Sequence, residues 1–273
     1  MAKMKIHPTA IVEDGARLGA DVEIGPFCIV GGQAELGDGV RLISQASVSG
    51  HTSIGARSVL HHGAALGGVA QIRGDDAPAA RLTVGEDCVI REHVTMSLGS
   101  LRGGGLTSVG RGGYFMAYSH VGHDCHVGDG VTFANGAQLG GHVEIGEGVI
   151  MGGLSAVQQF GRVGRGAMIG GMTGVNTDVI PFGIAAGDHA LLGGLNLIGL
   201  KRRGLARASI NALRAAFKLI FLENDGSMAD RAKLAKDKWS GVAEVHEIAD
   251  FILAPAKRPI CLARRRAGAD ESE

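Results

Sequence analysis

The stretch "IHPTAIVEDGARLGADVEIGPFCIV", Ile6 to Val30, puts an aliphatic residue at every sixth position: Ile6, Val12, Leu18, Ile24 and Val30. The step continues through Leu36, Leu42, Val48, Ile54, Leu60, Leu66 and Ile72. It returns in phase at Val84, Ile90 and Met96. After a one-residue shift it runs from Val109 through Phe115, Val121, Val127, Phe133, Leu139, Ile145, Met151, Val157, Val163 and Ile169 to Val175. A helix repeats near 3.6 residues and a flat strand at 2. A period of six is the hexapeptide signature of a parallel β-helix. Each hexad supplies one short strand and a turn, with the aliphatic residue facing the bore. Glycine follows many of these residues (Gly19, Gly25, Gly31, Gly37, Gly55, Gly67), where a missing side chain permits a tight corner. Three hexads close one triangular coil, and roughly ten coils stacked ~4.8 Å apart make a prism about 50 Å long.

Composition agrees with a turn-rich repeat. The 273 residues include 46 glycines and only 4% aromatics. Lys+Arg and Asp+Glu are both 27, so no charge excess points to nucleic acid. The opening "MAKMKIHPTA" has no apolar core of a secretory signal, and no run of 18 apolar residues offers a membrane span. Cys28, Cys88, Cys125 and Cys261 are widely spaced, which reads as free thiols in a reduced, cytoplasmic protein.

The hexad step fails at "RGDDAPAARL" (Arg73–Leu82) and "SLGSLRGGGL" (Ser97–Leu106), which read as loops ejected from the prism. Such loops are tolerated insertions or binding elements on a rigid scaffold. Beyond Pro181 the period turns helical. "ASINALRAAFKLIFLE" (208–223) spaces Ile210, Leu213, Phe217, Ile220 and Phe221 along one face, and two shorter helices follow in "MADRAKLAKDKW" and "VAEVHEIADFIL". The expected division is a β-helix over 1–190 with loops near 73–83 and 97–108, an α-helical domain over 191–266, and a disordered tail over 267–273.

The candidate chemistry lies in "SHVGHDCHVGDG" (Ser119–Gly130). Val121 and Val127 point inward, so His120 and His123 are expected on the outer wall of the prism. A metal site needs ligands converging at about 2 Å. His120, His123 and His126 are spread along up to ~20 Å of extended chain, which disfavours one shared ion. An imidazole supported by Asp124 is suited to take a proton from a hydroxyl. Solvated histidines on a wall remain the other reading.

Beyond the hexads, "IHPTA", "IGPFC", "SGHTSIG", "IREHVT", "GGGLTSVG", "HVGHDC", "GGHVEIG" and "NLIGLKRRG" resemble the UDP-N-acetylglucosamine O-acyltransferase family over nearly the whole chain. The resemblance implies a left-handed parallel β-helix and a homotrimer with sites between subunits. It implies transfer of a 3-hydroxyacyl chain from acyl carrier protein to the 3-position of the sugar nucleotide. This is the first step of lipid A synthesis for the Gram-negative outer membrane. No cofactor or metal is implied beyond the phosphopantetheine of the carrier. The family's general base falls on His123, its supporting carboxylate on Asp124, and its oxyanion donor on the Gly141 N–H. His126 matches no family role, and Cys125 is not needed for a direct transfer. Gln71, His120, His142, Gln159, His189, Asn196, Arg202 and Arg203 fall on substrate-binding positions, and Gly171 on the residue that sets acyl length.

The chain departs from the family pattern at Ile72, Gly74, Ser97, Gln158 and Ile198, where polar sugar-nucleotide contacts are usual. Arg73 or Asp75 could replace the lost charge. The departures raise an alternative acceptor, the 3-amino analogue of the sugar nucleotide. Others are the later N-acyltransferase of the pathway, a zinc-dependent γ-type carbonic anhydrase and a non-catalytic scaffold.

Overall fold

The computed structural model describes residues 5–75 and 77–264. Two-residue strands follow one another at six-residue steps. Lys5–Ile6, Ile11–Val12 and Arg17–Leu18 each begin one of three faces, and Glu23–Ile24 returns to pair in parallel with Lys5–Ile6. One turn of the coil is therefore 18 residues, and the expected left-handed parallel β-helix results. Its first, second and third faces hold eleven, nine and eight strands. The chain turns from first to second face at the first corner, from second to third at the second, and from third back to first at the third.

The hexad residues from Ile24 to Val175 fill the bore and are almost wholly buried, with the Phe115 and Phe133 rings tilted against each other at 5.0 Å between centroids. Burying each such side chain is worth ~1.5–3 kcal/mol. Ile72 is the exception. It keeps the numerical step yet is only half-buried, because the chain has already left the prism after Gly68.

The loops are shorter than expected. Arg81–Val84 and Leu106–Val109 are four-residue strands in register with each other, and Leu82 is fully buried. Pairing from Arg81 onward recovers residues that the missing hexad step had assigned to loop. The ejected segments are therefore about 69–80 and 98–105. The region expected to be helical from 191 opens instead on a strand. Leu191–Leu195 pairs antiparallel with Gly183–Ala186 and closes the end of the first face.

Four helices follow: α1 (Leu197–Arg202), α2 (Arg207–Phe221), α3 (Met228–Lys238) and α4 (Ala243–Leu253). The short α1 was not anticipated. Helix α2 buries Ile210, Leu213, Ala216 and Ile220, the stripe visible in the sequence, and α3 starts on a Ser227–Asp230 capping box. Helix α4 is tied to the prism by Glu247 on Arg165 (2.6 Å) and by Phe251 under the Arg162 guanidinium. The chain then returns to the prism, where Cys261 N–H donates to Asp178 O. No helix among the described residues is long and apolar enough to cross a membrane. The expected tail over 267–273 lies outside the described residues.

Candidate active site

The second corner stacks its turns one coil apart. His123, Gly141 and Gln159 occupy one position of the turn, and Asp124, His142 and Phe160 occupy the next. The latter three all have left-handed backbones, with φ of 56°, 59° and 64°, a conformation that Asp and His adopt more readily than most residues. The 18-residue period thus piles groups that are distant in sequence into one column.

At its centre His123 Nδ1 lies 2.8 Å from Asp124 Oδ2. The Asp124 carboxyl is almost fully buried, yet it accepts the Ser100 N–H on Oδ1 at 2.9 Å and the Ser100 hydroxyl on Oδ2 at 2.5 Å. Burial alone would raise its pKa, but the Ser100 donors and His123 outweigh it and hold Asp124 below the usual 3.8. An ionised carboxylate only accepts hydrogen bonds, so the imidazole proton sits on Nδ1 and the Nε2 lone pair is free. His142 meets His123 edge-on with centroids 5.1 Å apart and stacks on Phe160 at 4.6 Å. Lys257 Nζ caps the column 4.1 Å from the Phe160 ring centre. Burial holds His142 below its ordinary 6.5, against the pull of Asp124. Burial likewise lowers His120, whose Nδ1 lies 2.8 Å from Thr95 Oγ1.

Gly141 packs directly against His123. A Cβ built there would fall 2.3 Å from Cε1 and 2.4 Å from Nε2. The Gly141 carbonyl accepts from Phe160 N–H, while its own N–H has no acceptor among the described residues. Gln71, Ser97, His120, His123 and Gly141 line one cavity of about 330 Å³ on the second face, together with Gln138 and Ala156.

The histidines are not on an open wall. His123 keeps only 15% side-chain exposure, and His120 is half-buried. Both ejected loops leave the second corner in the coils just before the dyad and fold over it, which a periodic reading cannot show. His126 is exposed, with Nδ1 2.8 Å from Ser108 Oγ. Cys125, beside the dyad, is sealed in the bore, and burial pushes its thiol up to about 12.

One ligand atom each from His123, Asp124 and His142 lies within 4.8 Å of the others. The expectation against a metal weighed only His120, His123 and His126. Coil stacking supplies His142 instead. A cation there would compete with the hydrogen bonds that Ser100 and His123 make to Asp124.

Other residues singled out by sequence lie elsewhere. Asn196 is buried and caps α1, accepting from Gly199 N–H (2.9 Å) and donating to Gly166 O (3.1 Å). Arg202 is exposed, and Arg203 donates to Gly148 O (2.9 Å) at the third corner, beside a cavity of about 570 Å³. Gln159 is exposed and its carbonyl accepts from Arg258. His189 is exposed and bridges to Gly174. Gly171 stands at the first corner, where a Cβ would meet only Gly153 at 3.4–3.9 Å. Asp75 accepts from Leu101 N–H, Arg73 and Gln158 are exposed, and Ile198 is 66% exposed. Gly74 has φ 71° and open space around it. Sequence reasoning missed Ser100, Thr107, Phe160 and Lys257; only the glycine run 103–105 hinted at close packing there.

Comparison with known proteins gives one direction. The family model for domain 2 of UDP-N-acetylglucosamine O-acyltransferase matches residues 178–261. The chain is 51% identical over 262 residues to the acyl-[acyl-carrier-protein]–UDP-N-acetylglucosamine O-acyltransferase of Caulobacter vibrioides, covering 96% of this chain and 99% of that protein. It is also 51% identical to the enzyme of that name from Bartonella tribocorum, covering 96% of each. The UDP-N-acetylglucosamine acyltransferase structure from Campylobacter jejuni superposes with a TM-score of 0.89 at 35% identity, covering 95% of this chain and 100% of that one.

Proposed function

The chain belongs to the UDP-N-acetylglucosamine O-acyltransferase family, and from that premise we propose that His123 drives transfer of a 3-hydroxyacyl group from acyl carrier protein to the 3-hydroxyl of UDP-N-acetylglucosamine, the first step of lipid A synthesis. The observation that carries this reading is the His123–Asp124 pair, its carboxylate buried, with His123 and Gly141 packed side by side at one cavity. His123 Nε2 removes the proton from the sugar hydroxyl as its oxygen attacks the thioester carbonyl. The tetrahedral oxyanion accepts from the Gly141 N–H. As it collapses, the carbon–sulfur bond breaks and the imidazolium returns its proton to the pantetheine thiol. Asp124 holds Nδ1–H and offsets the imidazolium charge. Positioned base catalysis supplies ~10²–10⁴-fold and one oxyanion donor ~10²–10³-fold. Cys125, protonated and buried, forms no acyl-enzyme. No cofactor is needed, because the acyl group arrives activated on the phosphopantetheine arm.

The nucleotide and acyl-length positions support a homotrimer. Gln71, His120, His123 and Gly141 share one cavity beside the second corner, whereas Arg203 lies at the third and Gly171 at the first. A ligand touching these sets spans two copies of the chain. His142 faces the thioester side, Gln159 and His189 face the nucleotide, and Asn196 acts by seating the helix that presents Arg202 and Arg203. Arg207, Arg214 and Lys218 are exposed along α2 and offer cations to an acidic carrier protein. The four thiols are free and buried, as suits the cytoplasm. The ester product, rather than the amide of a 3-amino sugar, follows the O-acyltransferase activity of the relatives.

The test is purified protein with a 3-hydroxyacyl carrier protein and equal UDP-N-acetylglucosamine and 3-amino analogue, with products identified by mass spectrometry. An ester is expected, and His123→Ala should lower kcat by about 10²–10⁴. An amide product, or an unaffected variant, overturns the reading.

A further inference from the structure

We infer that Ser100 is a positioning residue for the reaction: the second ejected loop clamps the Asp124 carboxylate in the one orientation that holds His123 as base. The inference rests on His123 acting as that base. Ser100 is fully buried and spends both its donors on one carboxylate, N–H on Oδ1 and hydroxyl on Oδ2. With His123 Nδ1 also on Oδ2, both oxygens are held and the carboxylate cannot turn. Three further contacts lock the arrangement. Thr107 Oγ1 accepts the Asp124 N–H at 2.8 Å. Gly103, on the same loop, lies so close that a Cβ there would fall 2.1 Å from Asp124 Oδ2. Leu101 N–H, one residue past Ser100, donates to Asp75 of the first ejected loop at 3.2 Å. The two insertions thus brace each other across the corner that carries the base.

Ser100 is not among the residues lining the cavity at His123, so it acts through Asp124 and not on substrate. Two effects follow from removing its hydroxyl. The carboxylate gains freedom to rotate away from Nδ1, which lowers the fraction of productive geometry. Negative charge also concentrates on Oδ2, which raises the basicity of the imidazole. The acid limb of kcat/KM should then move to higher pH. The other charged or titratable groups around the pair are His120 and His142, with His126, Glu144, Arg162 and Lys257 along the third-face side. They are unchanged by the substitution, so the shift reports on Ser100.

The experiment compares Ser100→Thr with Ser100→Val, which share a shape and differ by the hydroxyl. Thr should keep kcat near that of the unmodified protein. Val should lose about tenfold or more in kcat, with KM for the sugar nucleotide within about twofold and the acid limb raised. Equal kcat and superimposable pH profiles for Thr and Val would overturn the inference, as would a loss confined to KM. Should Val not fold, Asp75→Ala removes the acceptor of the Leu101 N–H without touching Asp124. A smaller kcat loss with the same pH shift supports the clamp, and an unaltered profile overturns it. His123→Ala separates the two levels. If that variant keeps full activity, the base assignment itself fails. If it is inactive while Thr and Val agree, only the clamp fails.

Discussion

The second and third corners of the prism rise through the same coils and do opposite things. Every four-residue turn of the third corner opens on glycine, at Gly19, Gly37, Gly55, Gly85, Gly110, Gly128, Gly146 and Gly164. Side chains at Gly55, Gly85, Gly146 and Gly164 would lie 2.4, 2.6, 2.4 and 2.3 Å from a backbone nitrogen of the following coil. Glycine there is set by coil stacking, and the corner is uniform as a result. Both corners use left-handed residues in their turns, but the second breaks the uniformity with two insertions and with Asp124, His142 and Phe160 stacked at one turn position, where the third has Gly130, Gly148 and Gly166. Gly141 of the second corner yields not to backbone but to the His123 ring. Glycine at the third corner serves the scaffold; at the second, Gly122 and Gly140 still meet backbone of the following coil, and Gly141 beside them makes room for a side chain.

The sharpest way to break this contrast is Gly141→Ala. The methyl would push the His123 ring aside without touching the coil spacing. We expect kcat to fall about 100-fold, the usual cost of misplacing a reacting group by ~1 Å. Steady-state kinetics check the loss, and circular dichroism should show an unchanged fold. Gly146→Ala is the converse. It should cost about 2 kcal/mol in denaturant unfolding while the folded fraction keeps its kcat. Wild-type stability there would mean that coil stacking tolerates a side chain.

A smaller effect separates the corners by pH. None of the third-corner turns contains histidine, whereas burial holds the folded-state pKa of His120 and His142 below 6.5. Below pH 6.5 the unfolded chain therefore binds protons that the folded one does not, and stability falls as pH drops toward the folded values. Unfolding midpoints at pH 7.5 and 5.5 should differ less in a His120→Gln, His142→Gln double variant. An equal difference would show that these rings titrate as if exposed.

The hexad period made the fold legible because one rule, an apolar residue facing the bore, repeats in every coil. Ile72 shows its limit, since a residue can keep the count after the chain has left the prism. The family resemblance pointed to His123, Asp124 and Gly141, and the 18-residue spacing of 123 and 141 is their structural basis. Ser100 was not legible. It lies 24 residues from Asp124, inside an insertion that carries no period, so only the folded loop reveals the contact. Asn196 teaches the same lesson in reverse. Its motif suggested a ligand contact, and the structure spends its side chain on the cap of α1.

The sulfur of Cys125 lies within the coil that carries the base, donates to Gly140 O at 3.1 Å, and stays protonated until about pH 12. Electrophilic probes that hunt for thiolates will therefore pass Cys125 by. A ligand of the cavity of about 330 Å³ would instead be held by shape, against Leu139, Ala156 and Val157, and by hydrogen bonds to Gln71, Ser97, His120 and Gln138.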